Sequence, residues 1–177
     1  MENKVFIARS LDGYIADRKG GLDWLHMVPN PEHKDLGYED FIKGIDAIVM
    51  GRVTFETVCS FDIEWPYDKP VFVLSRSMDL VPEKYRDKAE LVNGSLPGIL
   101  DQIHKKGHRR LYIDGGGTIQ SFLREDLVDE LIITTIPILL GGGSPLFGVL
   151  PKELEFEHVS SALYLDEVVQ DTYRRKR

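Results

Sequence analysis

The sequence predicts an α/β domain on a mixed, mostly parallel sheet, and three observations carry that expectation. Short apolar runs alternate with helix-like periodicity along all 177 residues. Several runs, at 47–50, 71–74 and 111–113, are continuously apolar, as strands covered on both faces are. The last two, 155–159 and 168–173, alternate more, as an antiparallel edge does. Adding 5–8, 90–92 and 131–136 gives eight strands, flanked by helices. One domain spanning 1–177 is the natural size for such a chain.

The clearest helix follows Ser95: Leu96, Ile99, Leu100 and Ile103 share one face, Lys105 and Lys106 fill the last turn, and Gly107 ends it. A second helix is expected over 32–43, with Leu36, Phe41 and Ile42 apolar. A third runs from about 118 to 124, with Ile119, Phe122 and Leu123 on one side. Pro29-Asn30-Pro31 is a loop, because the residue before each proline is pushed out of the α region.

Charge and cysteine narrow the function classes. The chain carries 22 Lys and Arg against 29 Asp and Glu, a net charge of −7. That balance argues against a general polyanion binder, so no nucleic-acid partner is expected. The basic ending Arg174-Arg175-Lys176-Arg177 reads as solvated chain. A single cysteine, Cys59, excludes an internal disulfide and multi-thiolate metal sites, and the five histidines show no ligand spacing, so no metal is expected. No stretch approaches the roughly 18 apolar residues of a membrane span. A soluble, cytoplasmic protein is expected.

The glycine-rich turns carry the functional signal. Asp114-Gly115-Gly116-Gly117-Thr118-Ile119 joins a strand to a helix. Glycine lets backbone N–H groups approach a ligand closely, and the helix N-terminus adds unpaired N–H groups that suit a pyrophosphate. A tight turn with no ligand reads equally well. The segment is neither G-x-G-x-x-G nor a P-loop. Gly51-Arg52-Val53-Thr54 repeats the pattern after another strand, offering a guanidinium and a hydroxyl, and Leu74-Ser75-Arg76-Ser77 closes a third. Three such endings suit a nucleotide laid across strand C-termini. Gly141-Gly142-Gly143-Ser144-Pro145 is either a flexible lid or a plain connection.

Taken in order, Arg9-Ser10-Leu11-Asp12-Gly13-Tyr14-Ile15-Ala16, Val49-Met50-Gly51-Arg52, Val73-Leu74-Ser75-Arg76, Gly115-Gly116-Gly117 and Leu139-Leu140-Gly141-Gly142-Gly143 resemble the dihydrofolate reductase-like superfamily. Within it, the chain is most similar to stand-alone homologues of the reductase domain of the riboflavin-biosynthesis deaminase/reductase. The resemblance implies a central eight-stranded sheet and NADPH across the strand ends. It places Ala8 and Ile15 at the nicotinamide and Gly51, Arg52 and Thr54 at the pyrophosphate and ribose phosphate. Ser75 and Arg76 fall at the adenosine 2′-phosphate, Leu74 belongs to the same cofactor-binding set, and Gly115, Gly116, Gly117, Thr118 and Ile119 lie on the other side of the pyrophosphate. It also implies a cis peptide at Gly115-Gly116 and a mobile loop over 17–24. A homodimer through a sheet edge or the 141–147 region belongs to the same expectation.

Counting along the resemblance puts a catalytic carboxylate near Asp35, with Glu39 one turn on; two solvated acids at a helix start is the competing reading. The riboflavin pattern has a lysine in the first strand where Phe6 stands, and the zinc deaminase motif is missing. Asp12 reads as a turn residue, and Asp114 either caps the turn or reaches a substrate. The expected activity is NADPH-dependent hydride transfer to a C=N or C=O of a small pterin-, pyrimidine- or ribosylamino-pyrimidine-like substrate. A dihydrofolate reductase and a non-catalytic NADP-binding module are the alternatives.

Overall fold

Six parallel strands run through the centre of the computed structural model, which describes residues 1–177. In chain order the elements are β1 (Glu2–Ser10), β2 (Tyr14–Ala16), α1 (Tyr38–Lys43), β3 (Ala47–Gly51), α2 (Arg52–Ser60), β4 (Val71–Leu74) and β5 (Ala89–Val92). They continue as α3 (Leu96–Lys105), β6 (Arg110–Asp114), α4 (Gly116–Arg124), β7 (Glu130–Ile136), β8 (Ser144–Pro145), β9 (Phe156–Tyr164) and β10 (Val168–Arg175). The main sheet has eight strands in the order β5-β4-β3-β6-β1-β7-β10-β9, and β2 pairs with β8 in a separate ribbon. The strands from β5 to β7 are parallel; β10 and β9 are antiparallel additions, as their alternation predicts.

Period-two alternation sorts the central strands onto two cores. Ala47 and Val49 face the layer formed by α3 and α4, with Ile99, Ile103, Ile119 and Phe122. Ile48 and Met50 face the other side, against Phe55 of α2 and Val73. Each fully buried aliphatic or aromatic side chain here contributes about 1.5–3 kcal/mol. Helix α3 forms as its pattern requires: Leu96, Ile99, Leu100 and Ile103 are buried, and Ser95 Oγ accepts the Gly98 N–H at 3.3 Å.

The chain runs out from β1 to β3, β4 and β5, then returns through α3 to place β6 between β3 and β1. That reversal brings the C-terminal ends of β3, β6 and β1 side by side, where open α/β sheets bind ligands. Register sets the level: Met50 lies opposite Asp114 and Gly51 opposite Leu74.

Three expectations are corrected. The helix expected over 32–43 is only Tyr38–Lys43. Asn30 holds Lys34 through two hydrogen bonds (2.8 and 2.9 Å), and His33, Leu36 and Gly37 all have positive φ, so the chain loops before the helix can start. All peptide bonds are trans, Gly115–Gly116 included; Gly115 makes the turn with φ +87 and ψ 135. The basic ending is partly a structural lock: the Arg175 side chain is 8% exposed and pairs with Asp126 through Nε to Oδ1 (2.7 Å) and Nη2 to Oδ2 (3.0 Å). Arg177 adds a bond to Asp129.

Candidate active site

A cavity of about 930 Å³ opens over the ends of β1, β3, β4 and β6. It falls within the usual range for small-molecule sites. One end is formed by Gly51, Arg52 and Thr54 at the start of α2 and by Gly115, Gly116, Gly117 and Thr118 at the start of α4. Ile7, Leu22, Leu25, Phe61, Tyr67 and Asp114 also line it.

The glycine end is a close-packed joint. A methyl group at Gly115 would stand well inside 3.0 Å of Thr54 Oγ1, in addition to the positive φ that disfavours any side chain. At Gly117 nothing lies within 4 Å of where a Cβ would be, so its backbone faces open space. The first bond of α4 runs from the Ile119 N–H to the Gly115 carbonyl at 2.9 Å, which leaves the N–H groups of Gly116, Gly117 and Thr118 without an intrahelical partner. Those donors and the positive end of the helix dipole suit phosphate oxygens. Across from them, Arg52 is spanned by both Glu56 oxygens (2.9 and 2.7 Å) in a surface pair worth about 0.3–0.5 kcal/mol, which an incoming phosphate can replace.

Asp114 is the single acid in the lining. Its Oδ1 accepts the Gly115 N–H at 2.8 Å, which orients the carboxyl. Burial pushes its pKa above the ordinary carboxylate value, while the Gly115 amide and the Tyr112 hydroxyl pull the other way. Three phenols surround it. Burial, reinforced by Asp114, raises Tyr38 to about 12 and holds Tyr67 and Tyr112 above their usual value, so all three stay protonated. The Tyr112 hydroxyl donates to the Phe6 carbonyl at 3.0 Å.

Two loops close the third side. Asp12 accepts the N–H groups of Leu140 (3.1 Å) and Gly141 (2.7 Å), and Arg18 Nη2 donates to the Gly141 carbonyl. Gly143 lies so close to Ala16 that a methyl group there would overlap its carbonyl oxygen. Asp17 folds the segment between them by accepting N–H bonds from Lys19 and Gly21, both 2.8 Å. The glycine cluster at 141–143 is thus a clasp for the loop over the cavity, and Gly20 and Gly143 both reach the lining.

Of the expected cofactor residues, Ala8, Ile15, Gly51, Arg52, Thr54, Leu74, Gly115, Gly116, Gly117 and Thr118 line this one cavity. Ile119 lies in the hydrophobic core and reaches the turn only through its backbone. Ser75 Oγ accepts the N–H groups of Ser77 and Met78 in a local turn, and Arg76 is exposed, without an ion pair, just past the cavity wall. Asp35 and Glu39 are exposed and outside the lining. Asp35 instead caps α1, accepting the Glu39 N–H at 2.6 Å, which lowers its pKa. Leu22, Leu25, Phe61 and Tyr67 were not foreseen from the sequence, since they come from irregular segments with no periodic pattern.

An eight-stranded, mostly parallel sheet with a glycine-lined cavity over its strand ends defines a dihydrofolate reductase-like α/β protein. Dihydrofolate reductase from Enterococcus faecalis, solved with NADP(H), shares this fold: TM-score 0.68 and 18% identity over 99% of this chain and 97% of that one. Residues 4–169 match the model of the RibD C-terminal domain, and the chain belongs to that family. It is 36% identical over 158 residues to the uncharacterized protein YwjB of Bacillus subtilis, covering 86% of this chain and 87% of YwjB. A structure from Shewanella sp. PV-4, provisionally described as a riboflavin biosynthesis protein, matches with 56% identity and a TM-score of 0.98, each chain covered completely.

Proposed function

We propose that this chain is an NADPH-dependent reductase acting on a C=N or C=O group of a small planar substrate, in the manner of a riboflavin-pathway reductase. The observation that carries this reading is one cavity lined both by the starts of two helices, which suit phosphate, and by a single half-buried acid, Asp114. The family match and the fold shared with an NADP(H)-bound reductase support it.

The cradle fits the dinucleotide on its own chemistry. The free N–H groups at the start of α4 and the Arg52 guanidinium would hold the pyrophosphate, with Thr54 beside them. Arg76, exposed and uncommitted, would take the 2′-phosphate. When bound, NADPH supplies the hydride, and the remaining roles fall to the chain. Ile7, Ala8 and Ile15 give an apolar floor, and the clasped loop at 17–22 keeps water away. Asp114, whose raised pKa keeps it protonated to higher pH than an exposed Asp, passes its proton to the heteroatom beside the reduced carbon and recovers one from solvent. Asp114 thus takes the role that counting along the sequence assigns to Asp35 and Glu39.

No helix is long and apolar enough to cross a membrane; a cytoplasmic location and a homodimer complete the reading. The test is calorimetric titration with NADPH and NADH. Tighter binding of NADPH, with the preference lost in Arg76→Ala, is the expected result; no NADPH binding overturns the proposal.

A further inference from the structure

One charged side chain on the central sheet has no partner within the chain. Arg9 of β1 is half-buried, its Nε is buried without a hydrogen bond, and it makes no ion pair. Lys4 and Arg175, whose side chains are also largely removed from water, are each paired with a carboxylate. A guanidinium taken partly out of water and left unpaired is costly, so Arg9 calls for a partner from outside the folded chain.

The strand register shows what surrounds it. Arg9 lies opposite Thr135 of β7, Thr135 opposite Val169 of β10, and Val169 opposite Leu163 of β9. Opposite residues in neighbouring strands point to the same side of the sheet, so these four form one row across four strands. Val169 is 40% and Leu163 64% exposed, which leaves the outer half of the row open to water. Two residues along β10, on the same side, stands Asp171, which accepts the Ser161 hydroxyl and has His158 as its basic neighbour at 3.6 Å. Strands β1 and β10 are two spacings apart, about 10 Å, and Arg9 and Asp171 form no ion pair within the chain. Strand β9 is bare on both faces, since all seven residues from Glu157 to Leu163 are exposed. It has no Lys, Arg or Pro, the residues that commonly guard a sheet edge.

A face carrying an unpaired cation, a carboxylate and two exposed aliphatic side chains is suited to meet itself. In a two-fold contact the same patch appears on both sides, and a patch that holds both signs of charge can pair them crosswise. We infer that this sheet face of β1, β7, β10 and β9 is the contact between two copies of the chain. Arg9 of each copy pairs with the partner subunit's Asp171, beside an apolar strip of Val169 and Leu163. The inference rests on the homodimer in the reading above and gives it a surface.

The test is sedimentation equilibrium of the full chain, with thermal melting to check that each variant is folded. The parent is expected to be a dimer, and Leu163→Arg, at a position open to water in the single chain, should raise the dissociation constant by about tenfold or more. Arg9→Glu and Asp171→Arg should each weaken the dimer, and the double exchange should restore it. A monomeric parent overturns the inference, as does a dimer left unchanged by Leu163→Arg or by the charge variants, or a folded double variant that recovers nothing. If a charge variant does not fold, Leu163→Arg decides alone. NADPH binding is measured on the same samples. A monomer that binds NADPH removes the inference and the homodimer but leaves the reductase reading, whereas a dimer that binds none removes the reductase reading alone.

Discussion

Replacing Gly115 by Ala tests whether the joint between α2 and α4 is as tight as its geometry says. Two separable costs are expected. The backbone at φ +87 is unfavourable for any side chain, about 1–3 kcal/mol. The new methyl also overlaps Thr54 Oγ1, an overpacking cost of about 1–3 kcal/mol. Taking about 3 kcal/mol in total, the melting midpoint of a chain this size falls by roughly 6–12 °C. Thr54→Ala removes the overlapping oxygen while Cβ, 3.2 Å away, remains, so the double variant should recover the packing part and keep the backbone part. Urea unfolding of the parent, both single variants and the double variant gives the coupling directly. A Gly115→Ala chain that melts within about 2 °C of the parent, or a double variant with no recovery, would refute the argument.

Other substitutions probe the remaining contacts. Asp126→Asn breaks the two-bonded pair with Arg175 and should lower the melting midpoint at neutral pH. Because Arg175 lowers the Asp126 pKa, that stability is present above the ordinary value of 3.8 and is lost as pH falls through the folded value, so parent and variant should converge in acid denaturation curves. Asp114 has the opposite sign: its folded pKa is raised, so its stability contribution is complete below 3.8 and is lost as pH rises. Asp114→Asn should therefore melt higher than the parent at neutral pH, with the gain vanishing in acid, while reductase turnover falls. Asp12→Ala removes the acceptor for the Leu140 and Gly141 amides, and those two amides should exchange with deuterium faster while the β3 and β6 amides do not change.

The strands were legible because parallel strands buried on both faces are continuous apolar runs: 71–74 is β4 without adjustment, and 111–113 extends by one residue at each end. The ribbon β2–β8, three residues against two, is too short for any period to show. At 32–43 the apolar spacing suggests a helix, yet Asn30, outside the window, holds the loop that delays it. The glycine turns line the cavity, whereas Asp35 and Glu39 lie outside it and Asp114 lies in it. Asp114 both caps the turn and faces the cavity, and only burial, a property of the assembled sheet, separates it from Asp35, whose carboxylate spends itself on a helix cap. Arg175 looked solvated because its partner Asp126 lies 49 positions earlier.

The order of the sheet also bears on how the chain can be completed during synthesis. Strand β10 lies between β7 and β9, pairing antiparallel with both. Until it leaves the ribosome, β7 presents an open hydrogen-bonding edge and β9, which has no other neighbour in the sheet, has nothing to pair with. The glycine-lined cavity wall, drawn from β3, β6 and the starts of α2 and α4, is translated well before that point. A nascent chain can thus hold that wall nearly finished while its far edge is still exposed to wrong partners, and a ligand bound there early would stabilise it during that interval.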